Sequence, residues 1–226
     1  MTEVSRYPRT LHWPTSPGVQ SDDKIHRNID RLIGVPVTIT EKMDGSNVTL
    51  CDGEIYARST ATPSQHAWHG MVRKHHAWKT RDLGPDYKIC GEDMYAIHSI
   101  EYDGFRESET FRVFNILYKD TWLSFDDRYA ICQQLDLMMA PVWVRGAVFQ
   151  TQKEVDKWLA NAMKMGSKLG PVNEGFVIQI EDPFHKDDFR ECVAKYVRAG
   201  HVTTDAHWSR NWRPCRLLPP SSSFHR

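Results

Sequence analysis

Apolar and polar positions alternate along much of this chain, as they do in strands that are buried on one face and open on the other. In "VPVTITEK", residues 35–42, Val37 and Ile39 interleave with Thr38 and Thr40. "VTLCDGEIYARS" contains two such runs around Asp52-Gly53, a dipeptide that favours the tight turn of a hairpin. "YKICGEDMYAI" and "TFRVFNILYKDTWLSF" predict further strands, the latter turning at Lys119-Asp120, and "PVWVRGAVF", "EGFVIQIED" and "ECVAKYVRAG" complete the set. Three segments have helical character instead. "HGMVRKHHAWKTRDL" reads as a helix, as does "FDDRYAICQQLDL"; "TQKEVDKWLANAMKMGSKLG" starts at a Thr cap and stops at a Gly. Hairpins with helices inserted between them predict an α+β domain built on antiparallel sheets.

The ends of the chain look different. "YPRTLHWPTSPGVQSDDK" is rich in Pro and Ser and reads as an irregular arm, so residues 1–34 are expected to form an arm and a short helical or loop segment. Residues 35–200 then form the domain, and 201–226 a short basic, aromatic tail ending in the disordered "LLPPSSSFHR". No internal repeat is found.

Composition narrows the possible functions. A hydrophobic fraction of 40% over 226 residues is enough for one substantial domain. The 29 basic residues are matched by 29 acidic ones, so a nucleic-acid partner would have to be held by a local basic surface. The five cysteines are scattered, with no CxxC pair, which argues against a disulfide framework or a cysteine zinc site and suits a reducing compartment. No apolar run has the length of a membrane span and the N-terminus lacks a signal-peptide core, so the expected location is the cytoplasm, or a host cell if the chain is virus-encoded.

Four short segments place charged groups at strand ends beside small or aromatic residues: "EKMDGSN", "GEDMY", "NEGFVI" and "AKYVR". Each is weak alone. In this order they resemble the motifs of the covalent nucleotidyltransferase superfamily, which contains the ATP-dependent polynucleotide ligases and the mRNA capping enzymes. The closest resemblance is to the RNA ligase 2-like RNA ligases, through "GEDMYAIHSIEY" and "KYVRAGHVTTDAHW", and it extends from "YPRTLHWPTSPG" to about His207. It implies a nucleotidyltransferase, ATP-grasp-like domain with ATP and Mg2+ (or Mn2+) as cofactors and RNA with 5′-phosphate and 3′-hydroxyl ends as partner.

The resemblance assigns roles by position. Lys42 matches the lysine that attacks the α-phosphate of ATP and carries AMP. An ordinary lysine amine is protonated and cannot attack, so Lys195 and Arg198, together with a bound divalent ion, are expected to supply the cationic surroundings that free it. Asp44 and Gly45 make the turn after it, Asn47 is the polar residue that follows, Glu41 lies beside the adenine edge, and Arg58 matches a phosphate-contacting arginine. Glu92 matches the acceptor of ribose hydroxyls; Glu174 matches a carboxylate that organises metal, through water, near the phosphates. Phe114 matches the aromatic that stacks on adenine. The family usually has Asp after that aromatic, whereas this chain has Asn115.

Each residue also has a plainer reading. Lys42, Glu92 and Glu174 taken singly are ordinary strand-end charges, and Phe114 is equally at home in a core. His66, His69, His75 and His76 lack the spacing of a helical zinc pair and read better as a mobile, partly basic surface that touches nucleotide or RNA phosphates. Trp208, Arg210, Trp212, Arg213 and Arg216 suit stacking and phosphate contact with RNA, or docking of a terminal strand onto the core. With few residues after Arg198, this tail, together with the arm around Arg6 and Arg9, or else a helper protein, is expected to grip the RNA. The leading expectation is an ATP-dependent RNA ligase; the alternatives are a capping-type guanylyltransferase, a DNA ligase, or a module that binds RNA ends without sealing them.

Overall fold

A computed structural model describes residues 4, 6–58, 62–200 and 211–219 of the chain. Its strands are β1 (Leu11–His12), β2 (Pro36–Lys42), β3 (Ser46–Cys51), β4 (Glu54–Ala57), β5 (Tyr87–Asp93), β6 (Ala96–Ile97), β7 (Phe111–Tyr118), β8 (Thr121–Trp122), β9 (Met138–Met139), β10 (Val142–Val148), β11 (Gly175–Ile180), β12 (Phe184–His185), β13 (Val193–Val197) and β14 (Arg213–Pro214). Four α-helices, α1 (Gly70–His75), α2 (Phe125–Gln134), α3 (Gln152–Ala162) and α4 (Phe189–Cys192), stand between them. This is the α+β architecture expected, with mostly antiparallel sheets.

One sheet has the order β1-β13-β11-β2-β10; the other runs β12-β8-β7-β5-β3-β4, with β9 added beside β7. The β3–β4 hairpin turns at Asp52 (φ 48°) and Gly53 (φ 82°), both in the left-handed region that Asp-Gly accommodates. Thr151 caps α3 by accepting from the Glu154 backbone N–H, and Ser124 does the same for α2 from Asp127.

The apolar faces of the first sheet and α3 close over one core of Trp13, Val37, Ile39, Val155, Leu159, Phe176 and Ile178. A second core, around Val48, Leu50, Ile89, Val113 and Ile116, lies on the other sheet. Between these cores the cleft-facing residues of the two sheets meet.

Three expectations need correction. The stretch 69–83 is not one helix: α1 ends at His75 and a 3-10 helix, Ala77–Leu83, follows. The N-terminal arm is irregular over most of its length but is packed into the domain rather than lying on its surface: β1 pairs in parallel with β13 and Trp13 is fully buried, its indole N–H donating to Asp156 at 2.7 Å. At the other end β14 pairs with β6, and backbone bonds join Phe105 to Arg216 and Leu218. The part of the tail from 211 to 219 is thus docked, including the start of the segment expected to be disordered. Among the described residues no helix is long and apolar enough to cross a membrane.

Candidate active site

A cleft of about 1020 Å³ opens between the two sheets, with Lys42 on its floor. Strand β2 brings the lysine there: Thr38, Thr40 and Lys42 face the cleft, and alternation sends Val37 and Ile39 into the core behind. Lys42 lies opposite Gly175 in the β2–β11 pairing, so Glu174 enters beside it and its Oε2 accepts from the Lys42 Nζ at 2.5 Å. The chain then turns sharply into β3. Gly45 is required at that turn by close approach rather than by φ: a Cβ there would sit 2.5 Å from the Asp93 carbonyl oxygen. Its N–H donates to Glu92 Oε1 at 3.1 Å, joining the turn to β5.

Three carboxylates therefore surround one amine. Burial alone would depress the Lys42 pKa, but Glu174, Glu92 and Asp44 outweigh it and hold the ammonium above its ordinary value. Glu92 responds in the other sense. Burial pushes its carboxyl up to about 8, opposed by Lys42 and assisted by the charge of Glu174.

The neighbouring cations sit at different distances from the cleft. Lys195 lines the cleft with its pKa lowered by burial, opposed by Asp23, and lowered further by Lys42, but its Nζ pairs with Asp23 at 3.3 Å. Arg198 is not among the residues lining the cleft: its backbone N–H donates to the Glu174 carbonyl oxygen at 2.9 Å, and its buried Nε has no partner among the described residues. The free cleft thus keeps Lys42 protonated.

Two other expected nucleotide contacts are engaged elsewhere. Glu41 borders the cleft, yet its carboxylate accepts from Trp143 Nε1 at 3.2 Å, from the Lys168 N–H at 2.9 Å and from the Ser167 hydroxyl. It is a clamp on the segment after α3. Asp44 Oδ2 accepts from Ser99 N, Ser99 Oγ and Ile100 N at 2.7–2.8 Å, which fixes the loop after β6.

Phe114 does reach the cleft, and a bulge puts it there. In the β5–β7 ladder Cys90 faces Asn115 and Gly91 faces Val113, leaving Phe114 as the extra residue. Its ring packs edge-on against Tyr7 at 5.0 Å. Val177 lines the cleft as well, so an apolar slot lies beside Phe114 within reach of Lys42. Asn47, paired across from Glu92, also lines the cleft and carries a buried Oδ1 with no hydrogen-bond donor among the described residues. Arg58 is exposed at the rim.

Of the further lining residues, Arg6 and Arg9 of the arm and His66 and His69 before α1 were expected to meet RNA or nucleotide phosphates, whereas sequence reasoning missed Tyr7, Trp68 and Gln179 of β11. Nothing local in the sequence marks them; they arrive through non-local packing. The four histidines considered for metal flank α1 in two pairs, with ring centroids 6.0 Å apart for His66 and His69 and 6.1 Å for His75 and His76. His69 pairs with Asp93 at 2.9 Å, His75 with Glu107 at 3.0 Å, His66 stacks on Trp68, and burial pushes His76 down to about 4. Among the described residues no three His, Cys, Asp or Glu side chains converge as metal ligands. Of the tail, Trp208 and Arg210 lie outside the described residues. Trp212 is half-buried with its ring against Tyr95 and Trp68, and Arg213 and Arg216 are exposed.

The cleft thus holds a lysine on its floor, carboxylates around it and an aromatic beside it. The family model for RNA ligase matches residues 35–197, and the chain belongs to that family. Among solved structures, an archaeal ATP-dependent RNA ligase (form 2) is similar with a TM-score of 0.59 at 16% identity, over 87% of this chain and 49% of that one. A Naegleria gruberi RNA ligase mutant with ATP and Mn gives 0.56 at 18% identity, over 88% and 57%, and a putative ATP-dependent DNA ligase from Aquifex aeolicus gives 0.57 at 16%, over 88% and 51%. The chain spans about half the length of these structures. No curated protein matches the sequence.

Proposed function

We propose that this chain is an ATP-dependent RNA ligase that joins a 5′-phosphate to a 3′-hydroxyl through lysyl-AMP and AppRNA intermediates. The observation that carries this reading is the Lys42–Glu174 pair on the floor of a cleft that also presents Phe114 and Glu92. A purine nucleotide laid along β2 and β11 with its base beside Phe114 and Val177 brings its α-phosphate to Lys42.

In the first step the Lys42 Nζ attacks the α-phosphorus, the N–P bond forms, and the bond to pyrophosphate breaks. The amine must first lose its proton, and Glu174 is the acceptor already hydrogen-bonded to it. A 5′-phosphate oxygen of RNA next attacks the same phosphorus and releases Lys42, giving AppRNA. The RNA 3′-hydroxyl then attacks the 5′-phosphate phosphorus and AMP departs. Arg58 and Lys195, with the arm residues Arg6 and Arg9, give the rim the positive charge that suits phosphates.

The donor set suits a magnesium or manganese ion that keeps most of its waters and binds through phosphates and one or two carboxylates, Glu174 and Glu92 being the ones available. Such an ion would neutralise phosphate charge and, by its own charge, weaken the hold of the carboxylates on the Lys42 proton. RNA grip by Trp212, Arg213 and the neighbouring tail, or by a helper protein, belongs to the same proposal.

The test is sealing of a splinted nick with ATP. A 5′-phosphate/3′-hydroxyl RNA nick should give a joined strand and a transient AppRNA band. A 5′-hydroxyl nick should give neither. Joining that turns over more than once per protein molecule without ATP, or any joining of the 5′-hydroxyl nick, would overturn the proposal.

A further inference from the structure

At the inner end of the cleft, beyond Phe114 and Val177, lies Gln179 of β11, 5% exposed. Its Oε1 accepts from Asn115 Nδ2 at 3.1 Å, while its Nε2 is buried with no partner among the described residues. The direction of this amide is fixed rather than arbitrary. The Ile116 backbone N–H can only donate, and it donates to Asn115 Oδ1 at 3.0 Å. Asn115 is therefore left with its NH2 group towards Gln179, Gln179 must answer with its oxygen, and its own NH2 group is the end that remains. An unsatisfied buried donor costs stability, which is a reason to look for its acceptor in the ligand.

Position supplies that acceptor. Gly175 is paired with Lys42 and Gln179 with Thr38, so Gln179 lies four residues, or about 13 Å, along the strand from the nucleophile, with Val177 midway. A nucleotide with its α-phosphate at Lys42 and its base beside Val177 and Phe114 directs the far edge of the base at Gln179. We infer that Gln179 is a base-reading residue: its Nε2 donates to one ring nitrogen of adenine, and Asn115 is the positioning residue that turns the amide donor-outward.

This inference also gives a physical account of Asn115, where the resembling enzymes usually have Asp. An ionised Asp could only accept. It would draw the Gln179 NH2 group to itself and turn the carbonyl oxygen towards the base, where it would face the lone pair of a ring nitrogen. Asn115 and Gln179 thus act as one unit.

The inference rests on the ligase reading, and the experiment separates the two. Self-adenylylation is measured with ATP and with its 1-deaza, 3-deaza and 7-deaza analogues, each lacking one ring nitrogen. The unmodified protein should show a KM raised roughly three- to tenfold for one analogue only, with kcat little changed, as expected for one lost hydrogen bond. Gln179→Met, which conserves volume, should erase that discrimination by raising the KM for ATP to the analogue's value. Asn115→Asp should do the same through the reversed amide. Equal use of all four nucleotides by the unmodified protein overturns the inference without any variant having to fold, as does discrimination that persists in Gln179→Met. Absence of any nucleotide-lysine adduct with ATP would instead overturn the ligase reading.

Discussion

Glu92 offers a quantitative test of the charge arrangement around Lys42. Its carboxyl is moved from an ordinary 4.5 to about 8, chiefly by burial. Between these values the folded protein holds a proton that the unfolded chain has lost, so stability falls as pH rises through this window and levels off above about 8. At about 1.4 kcal/mol per pH unit the full displacement is worth roughly 5 kcal/mol. Lys42 shares the field and the side chain is only half-buried, so we expect about half of that, roughly 2–3 kcal/mol. Glu92→Gln keeps the shape of the protonated acid and removes the titration. Urea unfolding of both proteins from pH 5 to 9 should give curves that lie close together at pH 5 and diverge by roughly 2–3 kcal/mol by pH 9, the variant being the more stable. His76, pushed down to about 4, contributes stability that grows with pH from there to about 6.5, but it does so equally in both proteins and cancels in the difference. Curves that stay parallel over the whole range would refute the burial of a proton on Glu92.

Other expected outcomes concern the nucleophile turn and the base slot. Gly45→Ala forces a Cβ against the Asp93 carbonyl oxygen at 2.5 Å, and should cost about 1–3 kcal/mol in thermal unfolding while slowing lysyl-AMP formation about a hundredfold through misplaced Lys42. Asp44→Ala removes the shared acceptor of Ser99 and Ile100, so unfolding should shift by about 2–4 kcal/mol and the 98–100 loop should become open to proteolysis. Phe114→Leu should raise the KM for ATP by an amount equivalent to about 1–3 kcal/mol of stacking, with the fold unchanged by circular dichroism.

The strands around the site were legible from short apolar and β-branched runs bounded by turn residues; β2 alternates in sequence, whereas β3, β7 and β11 are largely buried on both faces. The turn after Lys42 was legible through its Asp-Gly pair, since Gly45 lies too close to β5 to carry a Cβ. The surroundings of Lys42 were not. Its partner Glu174 is 132 positions away, and the electrostatic outcome depends on which of several carboxylates and cations the pairing of β2, β5 and β11 brings nearest. Lys195 does feel Lys42, but the sequence did not show that Asp23 of the N-terminal arm pairs with it. The arm itself was misread because its Pro- and Ser-rich composition says nothing of Trp13 and Tyr7, whose packing is entirely with distant elements. The bulge at Phe114 left no mark on the sequence pattern either, because it is defined only by register against β5.

The central claim is that Lys42 is the residue that takes AMP from ATP. The most direct measurement is incubation with ATP radiolabelled at the α-phosphate, denaturing electrophoresis, and mass-spectrometric location of the adduct, alongside Lys42→Ala and Lys42→Arg. The account predicts an acid-labile, base-stable AMP adduct on Lys42 and no label on either variant, since guanidinium stays protonated and cannot act as the nucleophile. Label retained by a folded Lys42→Ala protein would contradict it.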